Sequence, residues 1–204
     1  MRKFLEALRF EKRYIRFLSV IFIVSALSGY WNGNDLLAVF KKAGIFDQLK
    51  EVVSSIQRDP SFFNVFLELF LNNWTAAMVT IVFGVFLVFW PSAMILMNGM
   101  LLGMVLKVAA TESGVHPLLL FVKTILPHGI IEIPAIIIAA ALGTHLGVFW
   151  IKWLISFSIP KRKEKVQAEW ATLKGNLIPL LIGISCLVVL AGLIETGLIL
   201  LNVT

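Results

Sequence analysis

Long apolar segments separated by short charged ones are the feature that most constrains the fold of this 204-residue chain. A helix of about 20 apolar residues crosses the hydrocarbon core of a bilayer, which is about 30 Å thick. Five segments fit this requirement, at 15–31, 61–90, 92–111, about 128–156 and 176–201. Hydrophobic residues make up 59% of the chain and the mean hydropathy is +0.91, more apolar surface than one soluble core can hide. The sequence therefore predicts an all-α integral membrane protein with a single transmembrane domain, 1–204.

The charged residues indicate how these segments cross the membrane. The net charge is +6, and the basic residues concentrate in the segments 1–14 and 160–175. Because basic flanks stay on the cytoplasmic side, both segments are expected inside, with an even number of crossings between them. Five crossings then place the C-terminus outside. We expect an integral protein of the cytoplasmic membrane with its N-terminus inside and its C-terminus outside.

Two connecting segments are expected at the outer face. Residues 34–60 have balanced charges and apolar residues near helical spacing, which indicates an amphipathic helical connection on the membrane or on the protein. Before the fourth span, Pro127, His128 and Gly129 predict an interruption, because proline and glycine break helices. The sequence thus predicts a short broken or re-entrant element at 118–126, followed by a long tilted span.

Polar residues inside apolar segments are costly in lipid, so each requires an explanation. The predicted topology places a polar cluster in the outer half of the bilayer, formed by Asn72, Asn73, His128, Glu132 and Glu195. His128 and Glu132 lie four residues apart on one helix face, a spacing that suits two ligands to one metal ion. Glu195 is the candidate third ligand. A zinc ion suits this donor set, with another divalent metal as the alternative.

The same residues admit two other interpretations. One is a polar clamp, in which hydrogen bonds between spans fix the packing of the helices. The other is a proton or ion path. For the metal site, Asn72 and Asn73 are expected either to hydrogen-bond the metal ligands or to contact an oxyanion. His145 also lies within a span, and no role is assigned to it.

Two glycine pairs predict close helix packing. Gly99 and Gly103 follow Asn98, and Gly143 and Gly147 have the same four-residue spacing. Small residues at this spacing let two helix backbones approach each other. The contact is expected either inside the subunit or between two copies, so a homodimer is one of the alternatives.

These residues together resemble the stage II sporulation protein M family. The matching motifs are Asn72-Asn73, Asn98-Gly99-x-x-x-Gly103, Pro127-His128-Gly129-Ile130-x-Glu132-x-x-Ala135 and Ile194-Glu195. The resemblance covers roughly residue 62 to the C-terminus and implies a prokaryotic membrane protein with five spans. In spore-forming bacteria it implies a membrane anchor and scaffold that works with two cell-wall-degrading partners during engulfment.

The expected function is therefore a scaffold or anchor for an extracytoplasmic envelope or peptidoglycan-remodelling complex. Expected partners are membrane lipids and envelope or cell-wall-hydrolase proteins, but not nucleic acid, because the basic residues flank apolar segments. One alternative is an intramembrane metal-dependent hydrolase of a lipid-linked substrate, in which His128, Glu132 and Glu195 hold the metal. A second alternative is a transporter. A non-enzymatic role is favoured, and no residue is assigned to catalysis.

Overall fold

A computed structural model describes residues 2–44, 54–55, 58–158 and 162–203, except for the side chains at 124, 125, 128, 202 and 203. The helices are α1 (Arg2–Trp31), α2 (Gly33–Lys42), α3 (Phe62–Phe86), α4 (Trp90–Ser113), α5 (Pro117–Leu120), α6 (Leu126–Ser156) and α7 (Lys163–Val203), with a π-helical turn at Phe121–Ile125. Of these, α1, α3, α4, α6 and α7 are long and apolar enough to cross a membrane. The predicted all-α membrane fold is confirmed.

Helix α6 is the centre of the bundle. In its most apolar stretch 67% of the residues are buried, against 22% to 28% in the other four long helices. The buried face is built from small residues such as Ala135, Ala139 and Ala141, all of them fully buried. Small side chains let α1, α3, α4 and α7 pack close around one helix. A polar group on the buried face of α6 is therefore surrounded by protein.

The two glycine pairs form close contacts within the subunit. A Cβ atom on Gly84 of α3 would lie 2.7 Å from the carbonyl carbon of Gly143, and one on Gly147 would meet the carbonyl oxygen of Gly84. On α4, a Cβ on Gly99 would lie 2.7 Å from a carbonyl oxygen of α1, and one on Gly103 2.6 Å from a backbone nitrogen of α1. These positions therefore bring α3 against α6 and α4 against α1.

The described parts of the two basic segments, residues 2–14 and 162–175, are helical and continue the first and the fifth spans. Helix α1 already begins at Arg2, and α7 begins at Lys163, within the segment expected as a loop at 160–175. Lys, Arg, Glu and Leu favour helix, and packing of Ala7 and Leu173 into the core extends it. At about 1.5 Å per residue α1 is about 45 Å long and α7 about 60 Å. Both exceed a hydrocarbon core of about 30 Å.

The interruption before the fourth span lies just upstream of the expected position. Instead of a break at 127–129, the turn Phe121–Ile125 is π-helical, and α6 then continues through Pro127 and Pro134. Pro127 has no amide hydrogen, and its ring crowds the carbonyl group of the preceding turn. Widening that turn to the π-helical pattern relieves the clash without ending the helix. The predicted short element is therefore α5 with this turn.

Part of the amphipathic connection at 34–60 packs on the protein. Phe40 of α2 is buried, and a Cβ on Gly33 would lie 2.8 Å from the Lys107 side chain of α4. The Ser55 hydroxyl donates a 2.6 Å hydrogen bond to Glu68 of α3. Residues 45–53 and 56–57 of this connection lie outside the described residues.

Candidate functional site

Four ionisable side chains contact one another in series where α1, α6 and α7 meet. The Nδ1 atom of His145 lies 2.8 and 3.0 Å from the two carboxylate oxygens of Glu11. Its Nε2 atom lies 3.3 Å from Oε1 of Glu169, which also accepts a 2.7 Å hydrogen bond from Lys152 Nζ. We call these four residues the His145 cluster.

Helical spacing brings the cluster to one place. Glu11 lies on the face of α1 that carries Ala7 and Leu18, four residues before it and seven after it, and both are fully buried. His145 and Lys152 are seven residues apart, so they share one face of α6. The start of α1, the end of α6 and the start of α7 therefore meet at the same end of the bundle.

Burial decreases along the cluster from the interior to the surface. The exposed fraction of the side chain is 0% for Glu11, 5% for His145, 23% for Glu169 and 45% for Lys152. Ionised groups this deeply buried are stable only when paired and hydrogen-bonded. The cluster meets this condition by linking its innermost carboxylate to a surface ammonium group.

Two aromatic rings of α1 enclose the imidazole. The ring of Tyr14 stacks on His145 with a centroid distance of 4.8 Å and an interplanar angle of 28°. The ring of Phe10 lies 5.2 Å away at 36°. Aromatic faces attract cations, so stacking on these two rings partly offsets the cost of burying a charged imidazole away from water.

The hydrogen-bond pattern fits a doubly protonated His145. Each ring nitrogen faces a carboxylate oxygen. A neutral imidazole has one donor and one acceptor nitrogen, so one nitrogen would direct its lone pair at an ionised carboxylate. An imidazolium ion donates to both glutamates, and with Lys152 the charges of the cluster sum to zero.

The cluster does not have the geometry of a metal site. Glu11 and Glu169 contact opposite nitrogens of the His145 ring, so the three groups do not converge on one point. Across the part of the chain that the structure describes, no three His, Cys, Asp or Glu side chains form a group that could hold a metal ion. The arrangement is suited to transferring a proton between neighbouring groups or to locking three helices together.

The predicted outer cluster is described only in part. The side chain of His128 lies outside the described residues, so the predicted metal site stays a prediction. Glu132 of α6 and Glu195 of α7 are both partly buried. On α3, Asn72 and Asn73 contact each other, with 3.5 Å between Nδ2 and Oδ1.

Contacts between α3 and α7 show the level of Glu195 in the bundle. Trp74 donates a 3.1 Å hydrogen bond to Ser185, and a Cβ on Gly192 would lie 3.4 Å from the ring of Phe66. The two helices therefore run antiparallel, and Glu195 lies near the start of α3. This is the end of the bundle remote from the His145 cluster. Asn98, on α4, is exposed and donates a 2.9 Å hydrogen bond to the carbonyl of its own helix at Met94.

Comparison with known proteins decides the family. The family model described as stage II sporulation protein M matches residues 18–198. The chain belongs to the stage II sporulation protein M family. It is also 28% identical over 193 residues to an uncharacterized protein of Methanocaldococcus jannaschii, an alignment that covers 91% of this chain and 80% of that protein. No solved structure matches it.

The His145 cluster of this stage II sporulation protein M family member lies partly outside the family match. His145, Lys152 and Glu169 are within residues 18–198, whereas Glu11 and Tyr14 precede them. Sequence reasoning assigns Glu11 and Glu169 to charged cytoplasmic segments and therefore misses the cluster. The available signals were the apolar positions that share a helix face with Glu11 and the uncharged stretch around His145.

Proposed function

We propose that this protein is a non-enzymatic membrane scaffold that anchors an extracytoplasmic envelope or peptidoglycan-remodelling complex. The observation that carries the proposal is the way α6 is held. Glycine contacts at Gly143 and Gly147 fix it against α3, and the His145 cluster ties it to α1 and α7. Such a bundle has few internal degrees of freedom, which suits a platform for partner proteins. Family membership supports the same role.

The surface of α2 is the proposed attachment site. This helix is anchored to the bundle through Phe40, while Val39 is 56% exposed and Trp31, just before it, is 75% exposed. Apolar side chains exposed next to the charged residues Asp35 and Lys42 are typical of a protein interface. In the predicted topology this helix faces the envelope.

Site-specific photocrosslinking in native membranes tests the proposal. A photoreactive residue in place of Val39 is expected to crosslink an envelope or wall-active protein. The same residue in place of Lys165, which is exposed on α7 at the opposite end of the bundle, is expected to give no such product. If neither position captures an envelope protein, the scaffold proposal is contradicted.

A second candidate function is proton-coupled transport, and one observation favours it. The His145 cluster connects a fully buried carboxylate to a half-exposed lysine through groups that exchange protons. The test is proton flux into liposomes that contain the purified protein and a pH-sensitive dye. Flux that is lost in His145→Gln and retained in Lys174→Gln, an exposed lysine of α7 outside the cluster, would favour transport over the scaffold.

A further inference from the structure

An apolar groove lies on the surface of the bundle where α6 ends and α7 begins. It has a volume of about 440 Å³, and its walls include Phe149, Trp150, Trp153 and Trp170. The three tryptophans are 37% to 43% exposed, so the groove is open to the surroundings. Tryptophan concentrates where the acyl region of a bilayer meets the headgroups. This position and lining suit a hydrocarbon chain.

Ring stacking keeps the groove open. The rings of Phe149 and Trp170 stack at a centroid distance of 5.1 Å, and those of Trp150 and Trp153 at 4.9 Å. The rings of Trp153 and Phe157 are nearly perpendicular, with a centroid distance of 4.7 Å. A ligand entering this groove would not have to order its walls, which lowers the entropic cost of binding.

A smaller hollow of about 210 Å³ continues the groove and is lined by Ser156 and Lys163. The groove and the hollow share Trp153, Val166 and Gln167, so they form one continuous surface. The Lys163 ammonium and the Gln167 amide are hydrogen-bond donors that suit a phosphate.

The charges around the hollow favour an anion. Arg162 and Lys165 are exposed beside Lys163, with Glu164 as the acid among them. In the described part of the chain, no carboxylate forms an ion pair with Lys163, whereas Lys152 is occupied by Glu169. The free ammonium therefore lies next to the polar end of an apolar groove.

We propose that the groove and the hollow together bind one anionic glycerophospholipid. An acyl chain lies against Trp153 and Trp170, and the phosphate group contacts Lys163. A soluble phosphate compound would leave the apolar groove empty, and a neutral lipid would leave the Lys163 charge without a partner. This inference does not depend on the scaffold function.

Quenching of tryptophan fluorescence by brominated lipids tests the site. The purified full-length chain is placed in neutral detergent micelles, and phosphatidylglycerol or phosphatidylcholine with brominated acyl chains is titrated in. Bromine quenches only tryptophans that it contacts, so Trp31, Trp74 and Trp90, which lie outside the groove, are replaced by phenylalanine in every protein compared. We expect phosphatidylglycerol to reach half-maximal quenching at a concentration about fivefold lower than phosphatidylcholine does.

Three variants test whether Lys163 causes the preference for phosphatidylglycerol over phosphatidylcholine. Lys163→Gln is expected to lose this preference, and Lys163→Arg, which keeps the charge, is expected to retain it. Lys174→Gln removes another exposed lysine from α7 and should leave it unchanged. Because these side chains are exposed, the variants should keep the helicity of the parent, which circular dichroism verifies.

Three results would overturn the proposal. Equal quenching by the two lipids would show that the groove takes any acyl chain. If Lys163→Gln and Lys174→Gln lose the preference for phosphatidylglycerol equally, the preference comes from the overall positive charge of the protein and not from Lys163. Displacement of the brominated lipid by glycerol phosphate, which has no acyl chain, would show a site for free phosphate.

Discussion

Replacing Glu11 by leucine tests how strongly the His145 cluster holds the bundle together. The substitution removes the two oxygens that lie 2.8 and 3.0 Å from Nδ1 of His145. The imidazole then has no partner on that side, although only 5% of its side chain is exposed. Removing one member of a buried ion pair costs about 3–5 kcal/mol, because the remaining charge stays buried. We expect Glu11→Leu to lower the free energy of unfolding by that amount.

A double variant and a control separate this effect from a general loss of packing. In Glu11→Leu/His145→Leu no buried charge is left unpaired, because Glu169 and Lys152 still pair with each other at 2.7 Å. Apolar replacement of a whole buried pair is often neutral, so the loss should fall below about 2 kcal/mol. Glu6 is the control on the same helix. Its ion pair with Arg2 is exposed, with 55% and 93% of the two side chains accessible, so Glu6→Leu should cost less than about 1 kcal/mol.

The measurement is reversible unfolding in mixed micelles, with sodium dodecyl sulfate as the denaturant and helicity from circular dichroism as the signal. Glu11→Leu should be much less stable than Glu6→Leu, and the double variant should recover most of the difference. If the two single variants unfold alike, the buried pair does not stabilise the bundle. The same conclusion follows if the double variant loses as much stability as its two single substitutions together.

Three further predictions concern packing, metal binding and orientation. Gly84→Ala should destabilise the bundle by about 1–3 kcal/mol in the same unfolding assay, because its Cβ would meet the backbone of α6. Gly197→Ala, with no atom within 4 Å of the new Cβ, should be neutral or stabilising, and similar values for the two would contradict the contact. If the predicted zinc site exists, elemental analysis should find one metal ion per chain in the parent and none in His128→Ala; no metal in the parent refutes the site. In a background that lacks the free Cys186, Lys165→Cys should react with a membrane-impermeant maleimide only after cells are permeabilised, and labelling of intact cells would reverse the predicted orientation.

The membrane-spanning helices could be predicted because hydrophobicity is a local property of the chain. Each long apolar run gave one helix, and the glycine spacing indicated that backbones approach each other closely. The identity of the contacting helix could not be predicted. Gly147 meets α3 and Gly103 meets α1, and this depends on the arrangement of the whole bundle rather than on the spacing of either pair.

The ends of the helices were harder to predict, because charged residues were expected to end the helix where the membrane span ends. Val166 and Leu173 are buried, so the helix of the fifth span extends through the basic segment. The effect of Pro127 was anticipated, but the altered turn lies before it, since the preceding carbonyl groups are the ones that must move.

The His145 cluster shows where single-sequence reasoning ends. Glu11 is flanked by basic residues, which suggests a solvated helix face, and Glu169 lies in a similarly charged segment. Only the packing of α1 and α7 on α6 turns these two carboxylates toward the same imidazole. The separation of 134 positions between Glu11 and His145 leaves no local pattern that would reveal the pair.

The same separation has a consequence for how the protein is made. Synthesis proceeds at about 5–20 residues per second, so Glu11 exists for about 7–27 s before the ribosome adds its partner. During this time the first span is in the membrane without the imidazole that neutralises its carboxylate. The pair closes only after the fourth span has been inserted, and the fifth span, which supplies Glu169, follows it. A chain truncated before His145 would keep an unpaired acid in α1 and would lack the ion pair that ties α1 to α6.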